Sequence, residues 1–545
     1  DAYKSVVDLG EESSYFEMAL YKLGWTFYKQ ELYEEAQHRF IALLDLKKSK
    51  GYDFHRIEDD TERKRLEDNL RVISLGFSNL GGADSVVEYF SSHGKRSYEE
   101  NVYSNLAEFY FDKRRYADAN ATYKAFISRN PFHRRAPNFH MRIIEIHTAG
   151  GFPTLVLDDK KAFANNYGLQ AEYWDYFEPG DCQDVLASLK TNLTDLAHHY
   201  HSAYQKPPEK EEKPNYFKEA VLWYREFLVS FPTDNESPAI NYQLADLFLE
   251  NLDYGPAAAE YEKTAYDYPS HEKSSEAGYA AVYALRKQLE AAAPDNETDV
   301  KKEIVRISVK FVDNFPDHEK AAIVLGAAAE DLYAMEDYEQ AFSAATRLVE
   351  NYPDADEEIR LTAWLVNAHA AYELQNYEAA ELAYIEVLNV LPSDDETRQD
   401  LVDNLAAAIY KQGEQANALE DYRAAADHFL RVGRVAPAST IRANAEYDGA
   451  EALIQLEAWE QAAVVLNDFR SSFPEHELQA EVTKKIAYVY KQNGQLLLAA
   501  REYERIETES TDDDVRRDAL QIAADLYAQE DRTVNALEVY RRYVG

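Results

Sequence analysis

A recurring segment ending constrains the fold of this chain more than any other feature of its sequence. Between residues 231 and 474, seven predicted helical segments end in an apolar or aromatic residue followed by proline. Successive prolines are 37, 47, 37, 39, 45 and 37 residues apart, at Pro232, Pro269, Pro316, Pro353, Pro392, Pro437 and Pro474. Proline interrupts a helix because it lacks an amide hydrogen and its ring clashes with the preceding turn. The spacing predicts a series of helical pairs, each joined by a short turn.

Segment 361–394 illustrates the pattern within one unit. Apolar residues are three or four positions apart, as in amphipathic helices, on both sides of a turn at Asn376-Tyr377. They are Trp364, Ala368 and Ala371 before the turn, and Ala380, Tyr384 and Val387 after it. Small residues recur where two helices must approach closely, and aromatic residues fill the space beside them. Each unit is therefore expected to be a tightly packed helical hairpin.

The composition supports a helical fold over its rivals. The 545 residues include only 19 glycines and 17 prolines, whereas sandwiches, barrels and loop-rich α/β enzymes need many turns built from these residues. Apolar residues make up 46% and aromatic residues 13% of the chain, which excludes disorder along most of its length. No stretch of 18 apolar residues occurs, so the sequence predicts no transmembrane segment.

The charge of the chain narrows the class of partner. It has 99 acidic and 58 basic side chains, a net charge of −41. Such an acidic surface repels phosphate backbones, which argues against nucleic acid as the main partner, and against binding of the whole chain to anionic lipid. The single cysteine, Cys182, excludes an internal disulfide framework and a four-cysteine zinc site.

The residues within the units resemble those of the tetratricopeptide repeat, a helix-turn-helix of 34 residues. In that family, large, small and aromatic residues recur at fixed positions, and a proline closes the repeat. The matching residues are Leu20, Leu23, Gly24, Phe27, Ala36 and Phe40 in segment 17–50, Leu106, Ala107, Tyr110, Ala119, Tyr123 and Pro131 in segment 100–133, and Leu244, Ala245, Phe248, Ala257, Tyr261 and Pro269 in segment 238–271. Segment 480–513 repeats the pattern, and segment 443–476 departs from it at Phe469, where a small residue is expected.

This resemblance implies an all-α fold, a right-handed α-solenoid or superhelix of about 12–13 repeats. We expect residues 1–16 to be the tail of a preceding helix and 17–133 to hold N-terminal repeats, with 61–96 degenerate. Residues 134–181 form a degenerate repeat with an irregular segment, and 182–316 hold repeats with an exposed insert at 206–214. Residues 317–545 are regular repeats, the last one incomplete. Both ends resemble interior repeats, which suggests that the natural protein is longer.

The 37-residue step and the Tyr-Pro or Phe-Pro endings also resemble long proteobacterial cell-envelope tetratricopeptide proteins, such as the lipoproteins of outer-membrane assembly (BamD-like). This resemblance implies a periplasmic or outer-membrane-associated location, with a lipid anchor outside these residues. A cytoplasmic location is the alternative.

The family resemblance also indicates a binding surface, because the first helix of each repeat lines the inner groove in that family. Groove positions here hold tyrosines among carboxylates, which suit extended peptides or subunits of an envelope complex. The candidate contact residues are Trp25, Tyr28, Tyr242, Asp246, Glu330, Tyr333, His369, Tyr372, Tyr447, Glu451 and Tyr488. A chaperone-type carboxylate clamp needs Lys and Asn at two of these positions, and none is present.

The predicted function is a non-catalytic scaffold for protein–protein interaction. No phosphate loop, nucleophile elbow or zinc-protease motif occurs, and no cofactor is expected. The alternative is a partner or anchor subunit in polysaccharide export or secretion that binds a glycan or peptide, for which the aromatic run 173–177 is the candidate glycan contact.

Three further groups leave alternatives open. His198 and His201 are spaced to share a helix face, as are His140 and His147, so either pair is a potential metal ligand or an ordinary surface feature. Cys182 precedes a predicted helix, where a thiolate is favoured if the site is electropositive. The basic runs 63–65, 113–115 and 133–135 either balance the acidic surface or dock an acidic partner or lipid headgroups.

Overall fold

The computed structural model describes residues 1–57 and 59–544, with the side chain of Asp295 excepted, and its contacts divide the chain into two units, residues 1–274 and 275–545. Among the described residues the secondary structure is helical, and consecutive helices pack against each other within each unit. The predicted all-α solenoid of tetratricopeptide-like hairpins is confirmed.

The first unit consists of a short helix followed by six hairpins. Its helices are α1 (Ala2–Asp8), α2 (Phe16–Lys29), α3 (Tyr33–Ser49), α4 (Asp60–Leu80), α5 (Ala83–His93), α6 (Glu99–Asp112), α7 (Tyr116–Arg129), α8 (Ala136–Gly150), α9 (Pro153–Tyr167), α10 (Gln183–Gln205), α11 (Lys213–Ser230), α12 (Ser237–Glu250) and α13 (Tyr254–Tyr266). Two short 3-10 helices, Glu172–Asp175 and Pro179–Asp181, occupy the segment predicted to be irregular. Residues 206–212 connect α10 to α11 and include a 3-10 helix at Lys210–Glu212. The last two residues of the expected insert, 213 and 214, belong to α11, with Pro214 in its first turn.

The second unit consists of seven hairpins. Its helices are α14 (Ser274–Glu290), α15 (Glu297–Asn314), α16 (Ala321–Ala334), α17 (Tyr338–Asn351), α18 (Glu357–Glu373), α19 (Tyr377–Val390), α20 (Arg398–Ala418), α21 (Tyr422–Val435), α22 (Arg442–Gln455), α23 (Trp459–Ser472), α24 (Gln479–Gln492), α25 (Leu496–Glu509), α26 (Asp513–Gln529) and α27 (Thr533–Val544). The first helices of neighbouring hairpins contact each other directly, as α16 does with α18 and α20 with α22. Side chains from successive first helices can therefore form one continuous surface.

The turn inside most hairpins has the same backbone geometry. A single residue in the turn that follows the first helix has a positive φ, as Glu420 does. The amide of the next residue donates a hydrogen bond to the carbonyl five residues before it, as Asp421 does to Ala416 at 3.0 Å. This arrangement is the Schellman ending of a helix. Glycine occupies the positive-φ position at Gly151 and Gly494, whereas other residues occupy it at Glu31, Arg114, Leu252, Glu336, Gln375, Glu420, Glu457 and Asp531.

The core between the helices of a hairpin depends on a small residue facing a ring. Gly24 faces Phe40, and Gly413 faces Phe429, in each case 16 residues later. A Cβ atom on Gly413 would lie 2.6 Å from two ring carbons of Phe429, far inside van der Waals contact. The ring is itself buried, so it has little room to withdraw.

We expect Gly413→Ala to lower the free energy of unfolding by about 1–3 kcal/mol, because the added methyl overpacks the α20–α21 contact. Gly433→Ala, in the second helix of the same hairpin, is the matched control. The atoms nearest to a Cβ there are Glu446 Oε1 at 3.1 Å and Arg442 Nε at 3.3 Å, the ends of long side chains that can shift by a few tenths of an ångström. The gain in helix propensity then leaves stability unchanged or raised by about 1 kcal/mol. Urea unfolding followed by circular dichroism measures both variants. Equal effects would contradict the packing argument.

Candidate partner-binding surface

Trp25 and Tyr28 lie together on α2 in the first unit. The Trp25 ring is half-buried, with its centroid 5.5 Å from that of Tyr28, 6.2 Å from Phe40 and 6.5 Å from Tyr21, all in edge-to-face orientation. Tyr28 also packs edge-on against Tyr33 across the turn, at 5.3 Å. The core ring Phe40 thus supports a small aromatic cluster whose outer members remain partly accessible to a partner.

Tyr242 and Asp246 lie one turn apart on α12 and share a neighbour, Tyr261 of α13. The Tyr242 ring packs edge-on against Tyr261 at 5.3 Å, and the Tyr261 hydroxyl donates a hydrogen bond of 2.5 Å to the Asp246 carboxylate. Burial raises the pKa of Asp246 above its usual value, although the bond from Tyr261 opposes the shift. The Lys273 ammonium lies 5.8 Å from the centre of the Tyr242 ring.

In the second unit, Tyr333 of α16 and His369 of α18 meet across two neighbouring hairpins. Their ring centroids are 6.0 Å apart, and His369 Nδ1 lies 3.0 Å from the hydroxyl of buried Tyr384. Burial lowers the pKa of His369. Tyr372 lies one turn further along α18 and packs edge-on against Tyr377 at 5.2 Å. These contacts show that α16 and α18 contribute to one surface.

Glu330 lies one turn before Tyr333 and faces a shallow cavity between α16 and α18. The cavity has a volume of about 280 Å³, and Ile323, Asp356 and Glu358 also line it. Burial and the neighbouring Asp331 carboxylate raise the pKa of Glu330. Three carboxylates around an apolar patch favour a cationic group on whatever binds there.

Tyr447 and Glu451 of α22 are joined by Lys485 of the following first helix, α24. The Lys485 ammonium forms an ion pair with Glu451 and lies 5.3 Å from the centre of the Tyr447 ring. Tyr488, one turn further along α24, is 44% exposed and packs edge-on against Trp459 at 6.0 Å. The surface therefore continues from α22 to α24.

The sequence-predicted residues thus form local groups within each unit. Contacts join Trp25 to Tyr28, Tyr333 to His369, Tyr242 to Asp246 through Tyr261, and Tyr447 to Glu451 through Lys485. Tyr372 and Tyr488 contact aromatic residues outside the predicted set. Whether these groups bind a partner remains a prediction.

The comparison with protein-family models matches residues 328–355 to a tetratricopeptide repeat. This stretch includes the end of α16, its turn and α17, and the same turn recurs in hairpins of both units.

At residues 328–355 the chain contains a tetratricopeptide repeat.

Similar solved structures are also repeat proteins. A tetratricopeptide repeat protein from Parabacteroides merdae is 14% identical over 53% of this chain and 99% of its own, with a TM-score of 0.24. Yeast Tom70 is 12% identical over 96% and 99% of the two chains, with a TM-score of 0.21. The tetratricopeptide repeat domain of P58(IPK) is 15% identical over 78% and 98%, also with a TM-score of 0.21. The comparison with curated protein sequences finds no match.

One contact that recurs in the helical hairpins was not predicted from the sequence. A tyrosine of the second helix reaches the polar residue 15 positions earlier on the first helix, and four hairpins share this contact. The pairs are Tyr123 with Glu108, Tyr261 with Asp246, Tyr384 with His369 and Tyr540 with Asp525. Two predicted contact residues, Asp246 and His369, are therefore already engaged within their own repeats. A search for tyrosine 15 residues after Asp, Glu or His would have found the contact.

Three of the four histidines that were considered as metal ligands have hydrogen-bond partners within the protein, and the fourth, His140, packs against Phe163 and Tyr167. His198 Nε2 lies 2.7 Å from Gln243 Oε1, and His201 Nδ1 lies 2.8 Å from the Tyr224 hydroxyl. His147 Nδ1 lies 2.5 Å from Asp159 Oδ2. Over residues 1–57 and 59–544, no group of three or more His, Cys, Asp or Glu side chains is arranged to hold a metal ion.

Cys182 does not provide the activated thiolate that its position before a helix suggested. The residue precedes α10, but it is fully buried. Burial raises the pKa of the thiol, and the nearby Arg134 only partly opposes this shift. Desolvation outweighs the favourable position, so the thiol form is favoured.

In the part of the chain that the structure describes, no helix combines the length and apolarity needed to cross a bilayer.

We expect Tyr261→Phe to lower the free energy of unfolding by about 1.5–3 kcal/mol, because it leaves the half-buried Asp246 carboxylate without its hydroxyl donor. Tyr503→Phe is the matched control. Tyr503 occupies the same repeat position, and its hydroxyl has no hydrogen-bond partner among the described residues, so the change should be nearly neutral. Urea unfolding at neutral pH measures both, and similar losses would refute a role for the Tyr261–Asp246 bond.

We expect His140 to make the α8–α9 hairpin sensitive to acid. Burial lowers the pKa of His140 to about 4, and its ring packs edge-on against Phe163 and Tyr167. The unfolded chain therefore takes up a proton near pH 6.5 while the folded chain does not, so stability falls as pH decreases through this range. The loss from this group between pH 7 and pH 5 is about 2 kcal/mol.

Native-state hydrogen exchange in α8 and α9, corrected for intrinsic rates, measures this loss. His140→Phe keeps the ring contacts and removes the titrating group. The variant should retain its protection at pH 5 better than the parent does. An identical decline in both proteins would assign the acid sensitivity to other groups.

Proposed function

We propose that this tetratricopeptide repeat protein is a non-catalytic scaffold that binds partner proteins on the first-helix surface of its second unit. We call this surface the tyrosine face and define it by Glu330, Tyr333, His369, Tyr372, Tyr447, Glu451 and Tyr488. The observation that carries the proposal is the contact of Tyr333 with His369 across two hairpins. It supports a surface that extends over successive repeats, which suits an extended segment more than a compact ligand.

The half-buried state of these rings supports a binding role. Each ring is held on one side by packing inside the protein, so it loses little conformational freedom when a partner covers its other side. Tyrosine also offers a hydroxyl beside a large apolar area, and such residues dominate the energy of many interfaces. The binding energy would come from several such contacts distributed along the repeats.

The charge of the second unit favours a basic partner. Residues 275–545 carry 53 acidic and 26 basic side chains, whereas residues 1–274 carry 46 and 32. On the tyrosine face, Glu330, Asp356 and Glu358 surround the cavity between α16 and α18. A partner segment that presents Lys or Arg beside an apolar residue would complement this arrangement.

We propose that the partner belongs to a bacterial cell-envelope assembly. The support is the resemblance of the 37-residue step and the Tyr-Pro and Phe-Pro endings to envelope repeat proteins. Fractionation of cells that produce the natural full-length protein, followed by immunodetection, tests this location. Detection only in the cytoplasm would refute it and would leave the tyrosine face to be tested separately.

No structural observation favours the alternative of a glycan ligand at 173–177. Tyr173 is buried against Tyr167, Trp174 donates its indole hydrogen bond to the Tyr167 carbonyl, and Tyr176 stacks on Phe132. Tyr173 and Trp174 are thus used in packing inside the protein, and Tyr176, although 56% exposed, has one ring face covered by Phe132.

Site-specific photocrosslinking in the native host tests the proposed function. A benzophenone side chain at position 372 or 488 should capture discrete partner proteins. The matched control positions are 382 and 498, on the second helices of the same two hairpins, where Leu382 is 61% and Leu498 39% exposed. The control positions should not capture the same partners.

The combined substitution Tyr333→Ala and Tyr372→Ala should abolish the crosslinks from position 488 as well, if one extended segment spans the tyrosine face. Crosslinks of equal yield from first-helix and second-helix positions would contradict the proposal. Circular dichroism of the variant checks that its helices are intact.

A further inference from the structure

The first unit contains, at its N-terminal end, a pocket whose lining differs from the acidic cavity of the tyrosine face. Residues of α2, α3 and α4, together with Ser14, line an open cavity of about 580 Å³, a volume in the range of ligand-binding sites. Leu43 and Lys47 are buried at its base, whereas Met18 at its edge is 52% exposed. Apolar side chains of a partner could enter such a pocket without large rearrangement.

A second cavity of about 440 Å³ adjoins the first, and Tyr21 lines both. Tyr3, Lys22, Trp25 and Lys29 also line this second cavity. We call the two cavities together the α2–α4 pocket. Its walls combine aromatic rings, a methionine and the ammonium groups of lysines.

The acidic side chains of the α2–α4 pocket already have partners. Glu17 forms an ion pair of 3.0 Å with Lys47, and Asp68 accepts hydrogen bonds from the Tyr21 hydroxyl and from Arg71. Lys47 is paired a second time, with Glu62 at 2.7 Å. Burial alone would lower the pKa of Lys47, but its bonds to Glu62 and Glu17 raise it, so the ammonium stays charged.

Three lysines of the α2–α4 pocket have no acidic partner. Lys22, Lys29 and Lys64 are exposed, and within the described residues no carboxylate lies at ion-pair distance from them. The Lys22 ammonium lies 5.9 Å from the centre of the Tyr21 ring. The pocket thus has unpaired positive charge although the chain has a net charge of −41.

We propose that the α2–α4 pocket binds an acidic segment of a partner protein, with an apolar side chain of that segment between Met18, Tyr21 and Leu43 and flanking carboxylates on Lys22, Lys29 and Lys64. The argument is charge complementarity, because the carboxylates of an acidic segment would neutralise lysines that have no carboxylate partner within the described residues. The inference rests on the proposed function only in assigning protein partners to this repeat protein.

The pocket selects side-chain carboxylates of an internal segment, not a terminal carboxylate. Tyr21 and Trp25 at the centre of the lining carry no cationic group, and Tyr21 donates its hydroxyl hydrogen to Asp68. No paired donors therefore converge on one carboxylate, and the separate lysines suit charges distributed along a segment.

The probe is an N-acetylated, C-amidated peptide of about twelve residues with a central Leu-Phe pair flanked by Asp and Glu, titrated into the whole chain by calorimetry at low salt. We expect saturable binding that weakens strongly as salt rises to about 0.15 M, because the lysines are exposed. A peptide with Lys and Arg in place of the acids should not bind at this pocket.

The test variant combines Lys22→Glu, Lys29→Glu and Lys64→Glu, and we expect about tenfold or greater weakening. The control combines Lys113→Glu, Lys210→Glu and Lys263→Glu, three exposed lysines of the same unit outside the pocket, with the same change in net charge. The control should bind as the parent does. A milder variant with glutamine at positions 22, 29 and 64 should lose part of the affinity, which guards against misfolding of the reversed variant.

Equal binding by all variants, or no binding by the parent at low salt, would overturn the proposal. A dimer in sedimentation experiments that the reversed variant abolishes, without peptide binding, would instead assign the pocket to a second copy of the chain. The Tyr333→Ala and Tyr372→Ala variant should bind the acidic peptide normally. The experiments can therefore refute the proposal for the tyrosine face and the proposal for this pocket independently of each other.

Discussion

The close contact between a small residue of the first helix and a ring of the second is the constraint on which each hairpin depends. Gly413 and Phe429 lie so close that a methyl group does not fit, and Gly24 and Phe40 have the same relation. A ring at this depth fills the interface between the two helices. Where that ring is a tyrosine, its hydroxyl extends past the core to the polar residue one position after the small one. Core packing and the positions of polar groups on the first helix are therefore two consequences of one contact.

This connection explains why the candidate residues are only half available to a partner. Asp246 and His369 are held by tyrosines of their own hairpins, and the aromatic candidates pack edge-on against neighbours. Ring edges and hydroxyls that are preorganised in this way lower the ordering cost of the partner binding that we propose. The two units also differ in local charge. Carboxylates surround the cavity of the tyrosine face, whereas unpaired lysines surround the α2–α4 pocket. One chain could thus hold two partners of opposite charge.

Much of the fold could be predicted from spacing. Proline endings 37 residues apart, with small and aromatic residues at helical intervals, indicated hairpins because these residues report directly on packing and on helix ends. The turn geometry was less visible, since Glu420 and Leu252 adopt the positive φ that glycine favours. At these positions the Schellman hydrogen bonds stabilise a positive φ, although neither glutamate nor leucine indicates such a turn in the sequence. The state of Cys182 was left open for a similar reason, because sequence position does not reveal burial.

The sequence by itself determined the repeat, the helical class, the strong negative charge and the set of residues on the first-helix positions, because each of these depends on residue type and periodicity along the chain. The tertiary structure decided which of those residues touch. It placed Tyr333 against His369 and Tyr261 against Asp246. It also gave Glu17 and Asp68 partners within the chain, Lys47 and Tyr21, while Lys22, Lys29 and Lys64 have no carboxylate at ion-pair distance among the described residues. Such pairings depend on how neighbouring helices are placed in space, and helices that contact each other across hairpins bring together residues that no local periodicity relates.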